Sequence, residues 1–565
     1  MKNKFFMTLL AVLVPAALPA QVTVPAAAEK AAAVIDQGSL EGPVRFLADD
    51  LLEGRGPATR GDQLSELYLS TTLQYLGFEP AFESTPGKGS YVQPFDVVSM
   101  AADVPKTWDF RKGGQSLTLK FWDQFVAAGD AQEAKSVLDN DEVVFVGYGI
   151  QAPEYKWDDF KGMNLKGKIL LMLNNDPDWD PQLFEGTRRL YYGRWTYKYE
   201  SAARQGAAGA IIIHTTPSAA YPWQVVQTSW TVPQFDLPAE GEPRLQVRSW
   251  VTEDAARQLV KLAGQDLDTL VKSARSRDFK PVPLGVTGSL TLSNKVEKTR
   301  TANVGGLLRG SDPKLKDEVV IYSAHHDHLG IGQPDETGDR IYNGALDNGA
   351  GVAQVLAIAK ALAALPEPPR RSVLVLFVAG EEKGLLGSEY YSRHPTFPAG
   401  KIAANINYDG GNIFGKELEL AYIGLGKSSL DGVVKALAAQ QGRTVVGDQF
   451  PDHGSFYRSD QFSFAKIGVP AIYLDLGSKF KDKPADWAKQ KIEEYEENDY
   501  HQPSDELKPA WDFTGLVDDA RLGFFAGVVL ANDDKMPTWN PGDEFEAARK
   551  AALADVAKGE RAGGR

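Results

Sequence analysis

The strongest constraint on this chain is an alternation that begins near Thr301. Residues 319–324, 373–378, 402–408, 417–423 and 469–474 read as buried strands, and 350–364 and 430–440 read as helices. Continuous apolar runs leave a strand no polar face for water, so helices must cover both sides of the sheet. Strands alternating with helices at this spacing predict an α/β layer fold.

At 565 residues the chain is too long for one ordinary hydrophobic core, and more than one domain follows. Residues 43–78 are helical in period, interrupted by a Gly- and Pro-containing loop at 52–57. Strand-like runs at 142–150, 169–173 and 207–214, with a helix at 199–206, make a compact strand-rich insert of the region up to about 292. The expected division is a leader at 1–20, a first part of the main domain at 21–120 and an insert at 121–295. The second part of the main domain follows at 296–537, then a charged tail at 538–565 read as a fraying surface helix.

The leader has Lys2 and Lys4 before an apolar stretch and the small Ala20 after it, the layout of a secretory signal peptide. No later segment approaches the roughly 20 apolar residues of a membrane span, so export to a periplasm or the exterior is expected, without stable membrane insertion. The chain has no cysteine, which excludes thiolate chemistry and disulfide staples. Its net charge of −14 argues against nucleic acid as a partner.

The chemistry-bearing residues fall at the ends of the predicted strands, where open α/β sheets bind ligands. Three of the seven histidines lie within Ser323-Ala324-His325-His326-Asp327-His328. On an extended segment His325 and Asp327 share a face, and a carboxylate beside a ligating imidazole fixes its tautomer. Taken alone, Asp347 in Leu346-Asp347-Asn348-Gly349 reads as a helix cap. The adjacent acids Glu381 and Glu382 at a strand end repel each other unless a cation or proton compensates. Asp409 ends another strand, and His501 sits in a loop before a helix. The adjacent acids are the sharper signal, and Asp409 and His501 are each weak alone; the order of all five along the chain gives them weight.

In that order, together with Leu51-Leu52-Glu53-Gly54-Arg55-Gly56, Ser459-Asp460-Gln461 and Gly468-Val469-Pro470-Ala471, the chain resembles the M28 family of zinc metallopeptidases, aminopeptidase type. The 142–292 block resembles the protease-associated domain that many members carry as an insertion. The resemblance implies a mixed central sheet with helices on both faces, two Zn2+ ions (with Co2+ or Mn2+ as substitutes), and peptide substrates. It implies that His325 and Asp409 bind one ion, Glu382 and His501 the other, and that Asp347 bridges them, with a cis peptide bond after it. Asp327 would orient His325, and Glu381 would be the general base. Gln461 stands where the family often has histidine, Tyr457 is the nearest candidate for an oxyanion tyrosine, with Phe456 also in register, and His453 is a candidate for the substrate pocket.

Rival readings are weaker. Ala421 to Ser428 matches a relaxed phosphate-loop pattern but is degenerate, and reads better as a tight strand-to-helix turn. No Gly-x-Ser-x-Gly or His-Glu-x-x-His occurs, which removes support for serine hydrolases and common single-zinc peptidases. A carboxypeptidase or glutaminyl cyclase of the same fold, or a non-catalytic binding ectodomain, are the alternatives. Aminopeptidase is preferred over carboxypeptidase because no basic patch for a free carboxylate is evident in the sequence.

Overall fold

The computed structural model describes residues 22–219 and 221–563. The expected signal peptide lies outside the described residues.

The main lobe is built on a mixed sheet. Strand Val319–His325 runs parallel to Ser372–Val378 on one side and to Ile402–Asn407 on the other, and the latter runs parallel to Ala471–Leu476. Glu419–Ile423 joins antiparallel to Ala471–Leu476, and Thr444–Val446 completes that side. Every residue of Val319–His325 and Ser372–Val378 is buried, because each strand faces helices on both sides. Val320, Tyr322 and Ala324 pack with helices Gly351–Ala363, Thr514–Asn532 and Gln37–Leu47. The alternate residues Val319 and Ile321 pack with Tyr391 and Phe464 of the helices on the opposite face. The predicted α/β class is therefore observed, and the strands lie within two residues of their expected bounds.

The second lobe hangs on a long ribbon. Strand Val282–Leu308 pairs with Lys135–Phe145, then with Val92–Asp103, and ends in the main sheet against Ser372–Val378. Within this lobe Lys135–Phe145, Ile169–Leu173, Gly209–His214 and Val247–Thr252 are successive parallel neighbours. Parallel neighbours need crossovers rather than tight turns. Helix Trp195–Arg204 supplies one of these, and Glu253–Leu262 packs on the same sheet, so the region is less purely strand-rich than its sequence suggests.

The segment after 537 is more firmly held than a fraying tail. Trp539 and Phe545 are buried in a cluster with Phe456, Tyr457 and residues of the second lobe. Lys427 makes buried ion pairs with Asp543 at 2.8 Å and Glu544 at 3.1 Å. In the following helix, Glu546–Gly563, Arg549 is buried and donates to the carbonyl of Ile402 at 2.9 Å. Because Lys427 is committed to these acids, the 421–428 segment is the strand-to-helix turn that its sequence favours over a phosphate loop.

Candidate metal centre

Three adjacent parallel strands deliver acids or histidine to one edge of the sheet. His325 ends the first, Glu381 and Glu382 follow Ser372–Val378, and Asp409 follows Ile402–Asn407. Asp347 comes from the segment leading into helix Gly351–Ala363, and His501 from the loop after helix Trp487–Asn498.

The Asp347 segment is held in place by side chains around it. The Asp347–Asn348 peptide is cis, as the resemblance implied. Asp505 accepts from Leu346 N–H at 3.0 Å and Asp347 N–H at 3.1 Å. The Asn348 amide oxygen accepts from Gly351 N–H at 3.0 Å and Gly410 N–H at 2.9 Å. A Cβ at position 351 would lie 2.0 Å from that oxygen, so only glycine fits there. Arg55, from the early Leu51–Gly56 stretch, is buried and donates to the carbonyls of His326 and Gly344 at 2.9 and 3.0 Å.

His325 Nε2 lies 3.3 Å from Asp347 Oδ1 and 3.3 Å from Asp409 Oδ1. His501 Nε2 lies 3.3 Å from Asp347 Oδ2 and 3.1 Å from Glu382 Oε2. All five expected ligand residues are thus brought together, with Asp347 between the two histidines. Asp327 is fully buried; its Oδ1 is 3.7 Å from His325 Nδ1 and accepts from Glu381 N–H at 3.1 Å, and its Oδ2 has no hydrogen-bond partner among the described residues. Glu381 lines a cavity of about 250 Å3 together with Asp347, Asp409, Arg458, Tyr473 and Tyr500.

The electrostatics are those of a cage with too much negative charge. Burial opposes charge on His325, but the carboxylates of Asp409 and Glu381 outweigh it and hold the imidazole well above its ordinary range. His501 is pushed up to about 10, Glu382 and Asp347 overcoming its burial. Burial would raise Asp347, yet hydrogen bonds from His325 and His501 bring it well below the usual carboxylate range. Glu381 goes the other way: burial drives it well above an ordinary glutamate.

The sequence did not single out four neighbours. His328 Nδ1 is 2.7 Å from Glu382 Oε1, and His328, Asp347 and Glu382 form one of the groups close enough to hold an ion. Asp505, Tyr473 and Arg458 are the others; Tyr473 lies on a strand whose aromatic reads as core, so no sequence signal marks it. Conversely, the structure sets Tyr457 apart. It is buried, its hydroxyl donates to Glu544, and it does not line the cavity. Phe456 packs beside it, and His453 stacks on Phe450 at 5.2 Å, also away from the cavity lining. Gln461 is a buried strut, accepting from Asn407 at 2.9 Å and donating to the Phe456 carbonyl at 2.8 Å.

Residues 303–522 match the family model of peptidase family M28. Among curated proteins, the chain is 40% identical over 110 residues to a vacuolar membrane protease of Yarrowia lipolytica, which is 20% of this chain and 10% of that protein. It is 31% identical over 152 residues to a probable leucine aminopeptidase 2 of Aspergillus oryzae, 27% of this chain and 26% of that one. The matches thus span about a tenth and a quarter of these relatives' lengths. Among solved structures, an aminopeptidase from Aneurinibacillus sp. strain AM-1 aligns over 88% of this chain and 95% of its own, at 16% identity and a TM-score of 0.48.

Proposed function

Through residues 303–522 the chain belongs to peptidase family M28, and from that premise we propose that it is an exported two-zinc aminopeptidase, removing N-terminal residues from peptides. The observation that carries the reading is the position of Asp347, one oxygen toward His325 and the other toward His501, each at 3.3 Å.

The donors fit a pair of zinc ions. Imidazole nitrogens mixed with carboxylate oxygens suit Zn2+, with Co2+ or Mn2+ as substitutes. Five buried or half-buried acids, Asp327, Asp347, Glu381, Glu382 and Asp409, meet three histidines, an excess of negative charge that cations would balance. His325, Asp347 and Asp409 would hold one ion; Asp347, Glu382 and His501 the other. When bound, the pair supplies Lewis acidity that lowers the pKa of a water molecule and polarises the scissile carbonyl.

The chain's own groups do the rest. Glu381 takes the proton from the attacking water at its carboxylate and delivers it to the leaving amine. Its upward shift, caused by burial, lets it carry a proton between those two steps. The Asp327 carboxylate fixes the Glu381 backbone from one oxygen and sits beside the His325 ring. His328 occupies one oxygen of Glu382, leaving the other aimed at His501.

Export rests on the leader at residues 1–20; among the described residues no helix is long and apolar enough to cross a membrane. Metal analysis of the purified protein, beside a panel of aminoacyl p-nitroanilides with and without chelator, tests the assignment. Two zinc ions per chain and chelator-sensitive hydrolysis are expected. A protein that takes up no metal, or whose hydrolysis ignores the chelator, is not this enzyme.

A further inference from the structure

The two sides of strand Ala471–Leu476 meet different surroundings. Ile472 and Leu474 pack into the main core with Leu516 and Ala520 of helix Thr514–Asn532. Alternation along a strand sends Tyr473 and Asp475 to the opposite side. Both line the cavity of about 250 Å3 that holds Glu381, Asp347 and Asp409. Tyr473 is in register with Asn407 on the parallel neighbour. Two residues further along these chains come Asp475 and Asp409, so a second acid stands one strand away from an expected metal ligand.

The carboxylate of Asp475 is not committed to any cation. The residue is exposed on the cavity wall, and its Oδ1 accepts from the adjacent Leu476 N–H at 2.7 Å. Among the described residues it makes no ion pair. Enclosure by the walls, and then the like charges of Asp448, Asp409 and Asp519, push its carboxyl up to about 6 against that hydrogen bond. The cations on the same cavity do not answer it. Lys491 pairs with Glu494, and Arg458 makes no ion pair with Asp475. Glu496, exposed on helix Trp487–Asn498, brings a further negative charge to the cavity.

We propose that Asp475 selects the N-terminal residue of the substrate, receiving the side-chain cation of lysine or arginine. This rests on the aminopeptidase reading above and adds a substrate class to it: peptides that begin with a basic residue. The cavity is small for anything longer than a terminal residue and the bond that follows it. Tyr473, Leu476 and Tyr495 give it apolar surface, on which the aliphatic stem of such a side chain packs while its charged end reaches the acid. An uncharged stem of the same length gains the packing without the charge-assisted hydrogen bond. Discrimination therefore falls on the terminal cation.

The test compares kcat/KM for lysine p-nitroanilide and norleucine p-nitroanilide, which keeps the stem and lacks the ammonium, at a pH above the Asp475 value. The wild-type enzyme should prefer lysine by about tenfold or more. In Asp475→Asn, a change of charge at an exposed side chain, the lysine-to-norleucine ratio should fall toward unity through a loss on lysine. Asp475→Glu should restore part of the ratio, with zinc content and melting temperature checked in both variants. If the wild type cleaves norleucine p-nitroanilide and shows no preference for lysine, the selection is wrong and the peptidase reading stands. If Asp475→Asn keeps the full ratio, the selection is also wrong. An equal loss on both substrates overturns it too, since the acid would then hold the α-ammonium that they share. If no aminoacyl nitroanilide is cleaved, both readings fall.

Discussion

The two carboxylate oxygens of Asp347 face different histidines: Oδ1 lies 3.3 Å from His325 Nε2 and Oδ2 lies 3.3 Å from His501 Nε2. A group shared in this way couples the two halves of the site. Asp347→Asn should therefore weaken both metal positions, where His501→Ala should weaken mainly one. Elemental analysis after dialysis should give well under one zinc per chain for the first variant and nearer one for the second. Two zinc ions retained by Asp347→Asn would show that the residue does not bridge.

Glu381 is distinguished from Glu382 by direction. Burial drives Glu381 well above the ordinary range, whereas Glu382, despite its burial and the nearby Asp347, is held below it by His501 and His328. One is suited to carry a proton and the other to remain an anion. Glu381→Gln should keep both zinc ions and lose about 10²-fold or more in kcat. Near-normal turnover in that variant, with metal content confirmed, removes Glu381 from the proton transfer.

What the sequence made legible follows from distance along the chain. Strand-end residues such as His325 and Asp409 could be placed because a buried strand is visible in six or seven apolar residues, and its end is then known. The outer partners could not. Asp505 acts on the backbone of Asp347, 158 positions away, and His328 acts on Glu382, 54 positions away. Tyr457 shows the opposite failure. The resemblance made it the nearest candidate for an oxyanion tyrosine, but its hydroxyl donates to Glu544 in the buried cluster with Lys427 and Asp543, and it does not line the cavity. The tail was misjudged for the same reason: its charges read as solvated, while Lys427 and the Ile402 carbonyl wait for them in the core.

That cluster has a measurable consequence. Lys427, Asp543 and Glu544 all have side chains 5% exposed or less. Lys427→Ala would leave two carboxylates buried without their cation, at a cost of about 3–5 kcal/mol. Chemical denaturation should show that loss, and Lys427→Ala combined with Asp543→Asn and Glu544→Gln should recover part of it. If Lys427→Ala unfolds at the wild-type denaturant concentration, the cluster is not a structural anchor.

Glu66 sets a pH dependence remote from the metal centre. It sits one helical turn from Asp62 in helix Arg60–Tyr75, and burial first, then the Asp62 charge, push its carboxyl up to about 8. An unfolded glutamate loses its proton near 4.3, so between that pH and about 8 the folded chain holds more proton at this site than the unfolded chain does. Stability from this group is full below the unfolded value and drains away as pH rises through the folded one. Glu66→Gln keeps the shape and cannot ionise, so it removes that loss. The melting temperatures of variant and wild type should differ by a constant amount below about pH 4.3, and the variant should gain steadily on the wild type as pH rises toward about 8. A difference that stays flat from pH 4 to 9 would mean that Glu66 titrates alike in both states, and that its burial beside Asp62 is relieved by solvent.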